Sequence, residues 1–186
     1  PNIVSVFDVG NSGGIHYIVM ELVEGITLKE YIEKNPKMNW RDALKFSMQI
    51  ASALESAHRN GIIHRDIKCQ NIFLLKNGQI KLGDFGISKV LMDSFDFAKT
   101  PLGTPYFLSP EICSGSKYNF KIDIWMLGCV LYELATLRKP FEATTLPELI
   151  KMIREKEILP IPKSYSDDLK FLINKLLCKE PNGRPS

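Results

Sequence analysis

Between Ile62 and Gly86 the chain reads IIHRDIKCQNIFLLKNGQIKLGDFG, which sets Asp66, Lys68, Asn71 and Asp84 among apolar residues. Two carboxylates, an amide and an ammonium group suit the handling of a divalent cation and a phosphoryl group, provided the chain brings them together. Asn77-Gly78 supplies the means, because the apolar runs Ile72–Leu75 and Ile80–Leu82 flank an Asn-Gly pair, a strong hairpin signal. The reversal lays the outer ends of the two strands side by side. Asn71, before the first strand, and Asp84, just after the second, become neighbours although they are 13 positions apart. Magnesium takes few protein oxygens and completes its shell with phosphate oxygens and water; an amide oxygen and a carboxylate fit that need. Asp66 lies on the incoming turn, close enough to face the same pocket, and Lys68 can bring one positive charge to a transferring phosphoryl group. Phosphoryl transfer asks for this set: positioning, charge neutralisation and one carboxylate to orient the incoming hydroxyl. The alternative is a hairpin dressed with turn formers and solvated charges. Each residue taken singly favours that plain role; the set with its spacing favours a site.

The elements that must hold these residues are legible from pattern. No Lys or Arg occurs up to Leu28. Val4, Val6 and Val9, then Tyr17–Leu22, read as two strands around the turn GNSGG, which is not the phosphate-cradling GxGxxG. Thr27–Lys34 reads as a short helix. A longer one starts at an Asn39 cap and stops at Asn60-Gly61, with Leu44, Ser47/Met48, Ala51 and Leu54 expected on one face. Beyond Gly86 a polar loop runs to about Pro110, longer than loops normally run without a function. From Lys121 the pattern is helical. The oily stretch Ile122–Leu137 carries Asp123 and Glu133 and falls short of the ~20 apolar residues of a bilayer span, so it reads as a buried helix. Thr145 with Glu148 predicts a capping box, and Ser166 with Asp167 and Asp168 another helix start. A β-rich opening before a helical body indicates an α+β protein.

Bulk properties narrow the function classes. The 186 residues suffice for one well-buried domain, and 45% hydrophobic with 24% charged residues is the balance of a soluble globular protein. A net charge of +3 gives no reason to expect nucleic-acid binding. Cys69, Cys113, Cys129 and Cys178 form no CxxC pair and no zinc-spaced cluster, so they read as reduced thiols of an intracellular protein. The opening PNIVSVFDV shows no secretory leader, and both termini read as cut.

At this point a resemblance becomes specific. HRDIKCQN (His64–Asn71) followed by DFG (Asp84–Gly86) resembles the catalytic-loop and metal-binding motifs of eukaryotic protein kinases. The likeness continues in order over essentially the whole chain. GTPYFLSPE (Gly103–Glu111) stands at the substrate-docking loop and APE motif, with Ser109 in place of Ala; DIWMLG (Asp123–Gly128) stands at the buried helix; Arg184 stands at a C-terminal arginine. Lys68, in HRDxKxxN, resembles the serine/threonine branch. HRDIKCQNIFL, FAKT, GTPYFLSPEIC and YNFKIDIWMLGCVLYELATLRKPFEA are similar to the NIMA-related (Nek) kinases.

The resemblance implies a protein-kinase-like fold with remnant N-lobe strands over residues 1–20, a hinge over 21–25 and a helical C-lobe, incomplete at its end, over 26–186. It implies transfer of the ATP γ-phosphate to Ser/Thr hydroxyls of protein substrates, with ATP and Mg2+ as cofactors. Asp66 would orient the hydroxyl or accept its proton, Lys68 would neutralise the γ-phosphate, and Asn71 and Asp84 would hold two magnesium ions. Met20 would be the gatekeeper, with the Glu21 carbonyl and Val23 amide binding adenine and Phe73 forming its floor; a core strand residue is an equal reading of Phe73. His64 and Phe85 would stack in the spine, His64 as a packed residue rather than a base. Thr104 would bond Asp66 and Lys68, Asp123 would hold backbone amides around His64 and Arg65, and Glu111 would pair with Arg184.

A phosphate on Thr100 could pair with Arg65 and with Lys89, ordering the long loop; Ser94 is a weaker candidate. Pro101 leaves a proline-directed upstream kinase open beside autophosphorylation. Thr100→Ala in the complete enzyme is expected to lower activity. The family's Gly-rich loop and phosphate-binding lysine are absent before Met20, so this chain alone is expected to bind ATP weakly and turn over little. A non-catalytic, kinase-like interaction module is the alternative; a small-molecule kinase fits GTPYFLSPE less well. Location is expected to be cytoplasmic, off the membrane, with cytoskeletal or centrosomal association as a family-level implication.

Overall fold

The structure is a computed structural model that describes residues 1–36, 38–84 and 106–186. Phe85, Lys89, Ser94, Thr100 and Thr104 therefore lie outside the described residues.

Two strands open the chain, β1 (Val6–Ser12) and β2 (Ile15–Met20), paired antiparallel. Gly13 and Gly14, at φ 59° and 82°, make the turn, the left-handed pair that a tight hairpin requires. The strands are shifted from the expectation: Val4 lies outside β1, where it donates its N–H to the Leu82 carbonyl, and Leu22 lies beyond β2. Both faces of the ribbon are largely exposed, Phe7 at 69% and Ile15 at 72%.

A second, three-stranded antiparallel sheet runs β3 (Gly25–Thr27), β4 (Ile72–Leu75), β5 (Ile80–Leu82), in the order β3-β4-β5. Asn2–Val4 lines the outer side of β5 through reciprocal bonds between Val4, Asn2 and Leu82. Helix α1 (Leu28–Lys34) follows β3, capped by a full box in which Thr27 and Glu30 satisfy each other's backbone amides.

Helix α2 (Trp40–Arg59) is capped by Asn39 and ends at Asn60, with Gly61 at φ 71°. Its buried stripe is Ala43, Phe46, Ser47, Ile50, Ala53, Leu54 and Ala57. This corrects the expected face: Ser47 and Leu54 belong to it, but Met48 and Ala51 are exposed and Leu44 is half-buried. Trp40 and Met48 stay exposed in an apolar row beside the buried one, so packing between segments distant in the chain, rather than apolar regularity, selects the face.

The short helix α3 (Pro110–Cys113) precedes α4 (Lys121–Thr136), the axis of the fold. From Trp125 to Ala135 every residue of α4 is buried, as expected of a helix apolar on all sides. It packs against α2 and against α6 (Asp167–Leu176). Gly128 permits the second contact, since a Cβ there would lie 2.8 Å from Leu176 Cβ. Helix α5 (Leu146–Glu155) takes Thr145 as its cap, but the Glu148 carboxylate accepts from Thr144 Oγ1, so the predicted box is only half formed. Ser166 caps α6 through the Leu169 amide. Lys179 lies over the Phe141 ring at 4.2 Å and donates to the Ile153 carbonyl at 2.7 Å; burial pushes its pKa down to about 8.

Candidate active site

The β4–β5 hairpin sets the site. Its turn is not a two-residue Asn-Gly reversal: Gly78 N–H bonds the Leu75 carbonyl, and Leu75 N–H bonds the Gln79 carbonyl. Asn77 has no positive φ, whereas Gly78 sits at 79°, which is the three-residue loop with glycine in the left-handed position. Register follows as Ile72 opposite Leu82. One step outward the Gly83 amide donates to the Asn71 carbonyl at 3.0 Å, so Asn71 and Asp84 leave the hairpin from adjoining ends. Asp84 has φ 57° and an exposed side chain. For a residue other than glycine this is an uncommon, strained backbone.

Asp66, Lys68 and Asn71 are knotted together. Asp66 Oδ2 accepts from Lys68 Nζ at 2.7 Å and from Asn71 Nδ2 at 2.7 Å, and Asn71 Nδ2 also donates to the Asp66 carbonyl at 2.9 Å. The Asn71 nitrogen is thus spent on Asp66, and its amide oxygen is the atom left for a cation. Both side-chain bonds fall on Oδ2 of Asp66, and Oδ1 has no donor among the described residues.

His64 joins this knot to the strand end. It is fully buried, and its Nε2 lies 2.8 Å from the Gly83 carbonyl while Nδ1 lies 3.2 Å from the Asp66 amide. A carbonyl only accepts and an amide only donates, so the geometry fixes the neutral tautomer with the proton on Nε2. Burial lowers the His64 pKa, against the Gly83 bond and the charges of Asp123, Asp66 and Asp84, which raise it.

From below, fully buried Asp123 accepts the His64 amide at Oδ2 and the Arg65 amide at Oδ1, each at 2.9 Å. Its third partner, His58 Nε2 at 2.8 Å, was not singled out from the sequence; nothing but its place on the last turn of α2 pointed to it. These bonds hold Arg65 at φ 72°. The Arg65 Nε is buried without a partner among the described residues.

At the end of β2, Glu21 follows the strand directly, and its carboxylate pairs with Lys81 of β5 at 2.6 Å. That bond, with the Ser5 amide, lowers its pKa. Lys81 was missed in the sequence, although it lies across from Phe73 in the ladder. Phe73 is half-buried and closes on Gly83, where a Cβ would meet its ring at 2.8 Å. Val23 is half-buried and Met20 is 45% exposed. Far from the hairpin, Arg184 forks onto Glu111 with bonds of 2.7 and 2.8 Å, both residues buried.

Comparison with known proteins decides the family: the description "Protein kinase domain" matches residues 1–186. The chain belongs to the protein kinase family. It is similar to Serine/threonine-protein kinase Nek5 of Homo sapiens, 46% identical over 189 positions, which cover 100% of this chain and 27% of the relative. Nek1 of Mus musculus is 45% identical, with 100% of this chain and 16% of the relative covered. Nek2 of Mus musculus is 42% identical, with coverages of 100% and 44%. The chain thus spans less than half the length of each of these relatives. All three are named as serine/threonine-protein kinases of the Nek group, which agrees with the likeness carried by HRDIKCQNIFL and GTPYFLSPEIC. The fold is the α+β architecture expected of a protein kinase.

Among the described residues no cluster of three His, Cys, Asp or Glu could hold a metal ion. The Asn71 amide oxygen, left over by the bonds of its nitrogen to Asp66, and the exposed Asp84 carboxylate would fit a magnesium ion that completes its shell with phosphate and water. No helix among the described residues is long and apolar enough to cross a membrane.

Proposed function

We propose that the whole protein is a serine/threonine kinase that transfers the ATP γ-phosphate to Ser/Thr hydroxyls of protein substrates. The observation that carries this is the Asp66–Lys68–Asn71 knot beside the strand end that leads to Asp84. Asp66 Oδ1 orients the incoming hydroxyl and accepts its proton. Lys68, held at 2.7 Å on Oδ2, keeps one positive charge beside the transferred phosphoryl group. Asn71 and Asp84 would hold magnesium, which when bound neutralises phosphate oxygens. Glu21, Val23 and Phe73 line the adenine side. The division into strands over 1–20, a hinge over 21–25 and a helical lobe over 26–186 belongs to this reading.

Control by phosphorylation is part of the proposal. A phosphate on Thr100, placed by the protein itself or by an upstream kinase, would meet Arg65, whose Nε has no hydrogen-bond partner among the described residues. Thr104 would close the substrate side against Asp66 and Lys68, and Glu111 anchors the far end of that loop through Arg184. A cytoplasmic location with cytoskeletal or centrosomal association goes with the Nek likeness.

The test is phosphate transfer by the full-length protein to a Ser/Thr peptide. Asp66→Ala should lower turnover by about 10²- to 10⁴-fold while a fluorescent ATP analogue still binds. Equal loss of nucleotide binding would assign Asp66 to structure. Wild-type protein that binds nucleotide but transfers nothing would leave an interaction module instead. Thr100→Ala should lower activity in the same assay; unchanged turnover would remove Thr100 from regulation.

A further inference from the structure

Helix α2 carries a second apolar row that the core does not use. Trp40, Leu44 and Met48, spaced i, i+4, i+8, run along one side of the helix, with Trp40 44% and Met48 72% exposed. Beside them runs a polar row, Arg41, Lys45 and Gln49. The two rows and the hairpin turn Asn77–Gln79 line an open groove of about 540 Å³. It sits at the turn end of the hairpin whose open end carries Asn71 and Asp84.

The groove has a fixed wall and a single sign of charge. Gln49 Oε1 accepts from the Ile80 amide at 2.9 Å and from Asn2 Nδ2 at 3.0 Å, while Nε2 donates to the Gly78 carbonyl at 3.2 Å. The turn is thereby bolted to the helix. No Asp or Glu lines the groove. Arg41 lies over the Trp40 ring at 4.6 Å, and neither Arg41 nor Lys45 has a carboxylate partner among the described residues. Lys76 adds a third cation on the same turn. Eight residues of helix span ~12 Å, the reach of about four residues of extended chain.

We propose that this groove docks a linear acidic peptide segment of a partner protein. Two of its apolar side chains would lie on Trp40, Leu44 and Met48, and flanking Asp or Glu side chains would meet Arg41 and Lys45. Docking there leaves the phosphoryl-transfer site open and tethers the partner at the other end of the same hairpin.

The probe is a fluorescein-labelled synthetic peptide, Glu-Glu-Leu-Gly-Leu-Glu-Glu, titrated by anisotropy with the full-length protein. Saturable binding that weakens with added NaCl is expected, with no binding of the version carrying Lys in place of Glu. The double variant R41E/K45E should bind at least about tenfold more weakly, and M48D separately should do the same. Both change exposed side chains, and unchanged thermal unfolding and peptide phosphorylation would show the fold intact. Equal binding by R41E/K45E and wild type, or competition by ATP, would overturn the proposal. So would binding of phosphatidylserine vesicles through Arg41 and Lys45 with none of the peptide.

Discussion

His64 shows how one residue's protonation state is set by its neighbours. With Nε2 donating to the Gly83 carbonyl and Nδ1 accepting the Asp66 amide, a second proton would set a cation against an N–H donor in a buried site. Burial accordingly holds its pKa below the ordinary 6.5. The unfolded ring binds its proton first as pH falls, so this group leaves stability untouched above 6.5 and subtracts from it as pH drops towards the native pKa. Nitrogen-15 NMR should find the Nε2–H tautomer still present at pH 6; a ring that titrates at 6.5 or higher contradicts the geometry. Sequence singled out His64 as packed rather than basic, and Asp66, Lys68 and Asn71 were legible because their spacing is local. Lys81 and His58 were not, since each meets its partner only across the fold.

Among the elements, the decisive ties are buried charges that join distant segments. Arg184 is 2% exposed and satisfies both Glu111 carboxylate oxygens, the Lys121, Cys178 and Lys179 carbonyls, and one face of Trp125. Removing it strands a buried carboxylate, so Arg184→Ala should cost roughly 3–5 kcal/mol, read as a lower urea midpoint at unchanged slope. Arg184→Lys should recover little of it, because an ammonium cannot fork onto two oxygens in plane. A loss below about 1 kcal/mol would put the pair in the class of screened surface bridges. Helix α2 carries the opposite lesson. Its caps and length followed from Asn39 and Asn60-Gly61, but its buried face did not, because Trp40, Leu44 and Met48 form an apolar row as regular as the one that packs.

For the whole molecule, burial of apolar area around α4 also governs chemistry. All four cysteines are free, with Cys69 and Cys129 buried. Burial raises the Cys113 thiol to about 12 and pushes Cys69 and Cys129 up as well, with Glu133 adding to the rise in both. Thiolate is the reactive form, so no more than one thiol of the folded protein should react quickly with Ellman's reagent at pH 8, and all four after denaturation. Rapid reaction of three in the native state would refute this. The sequence by itself determined the two strands of the hairpin though not its turn type, the knot of Asp66, Lys68 and Asn71, the oily helix and the family, because each is written in local spacing or in a contiguous motif. Tertiary structure alone decided which face of α2 is buried, that His58 joins the partners of Asp123, and that Glu21 meets Lys81. Those outcomes depend on contacts between segments far apart in the chain, where packing and desolvation rather than local pattern choose the partner.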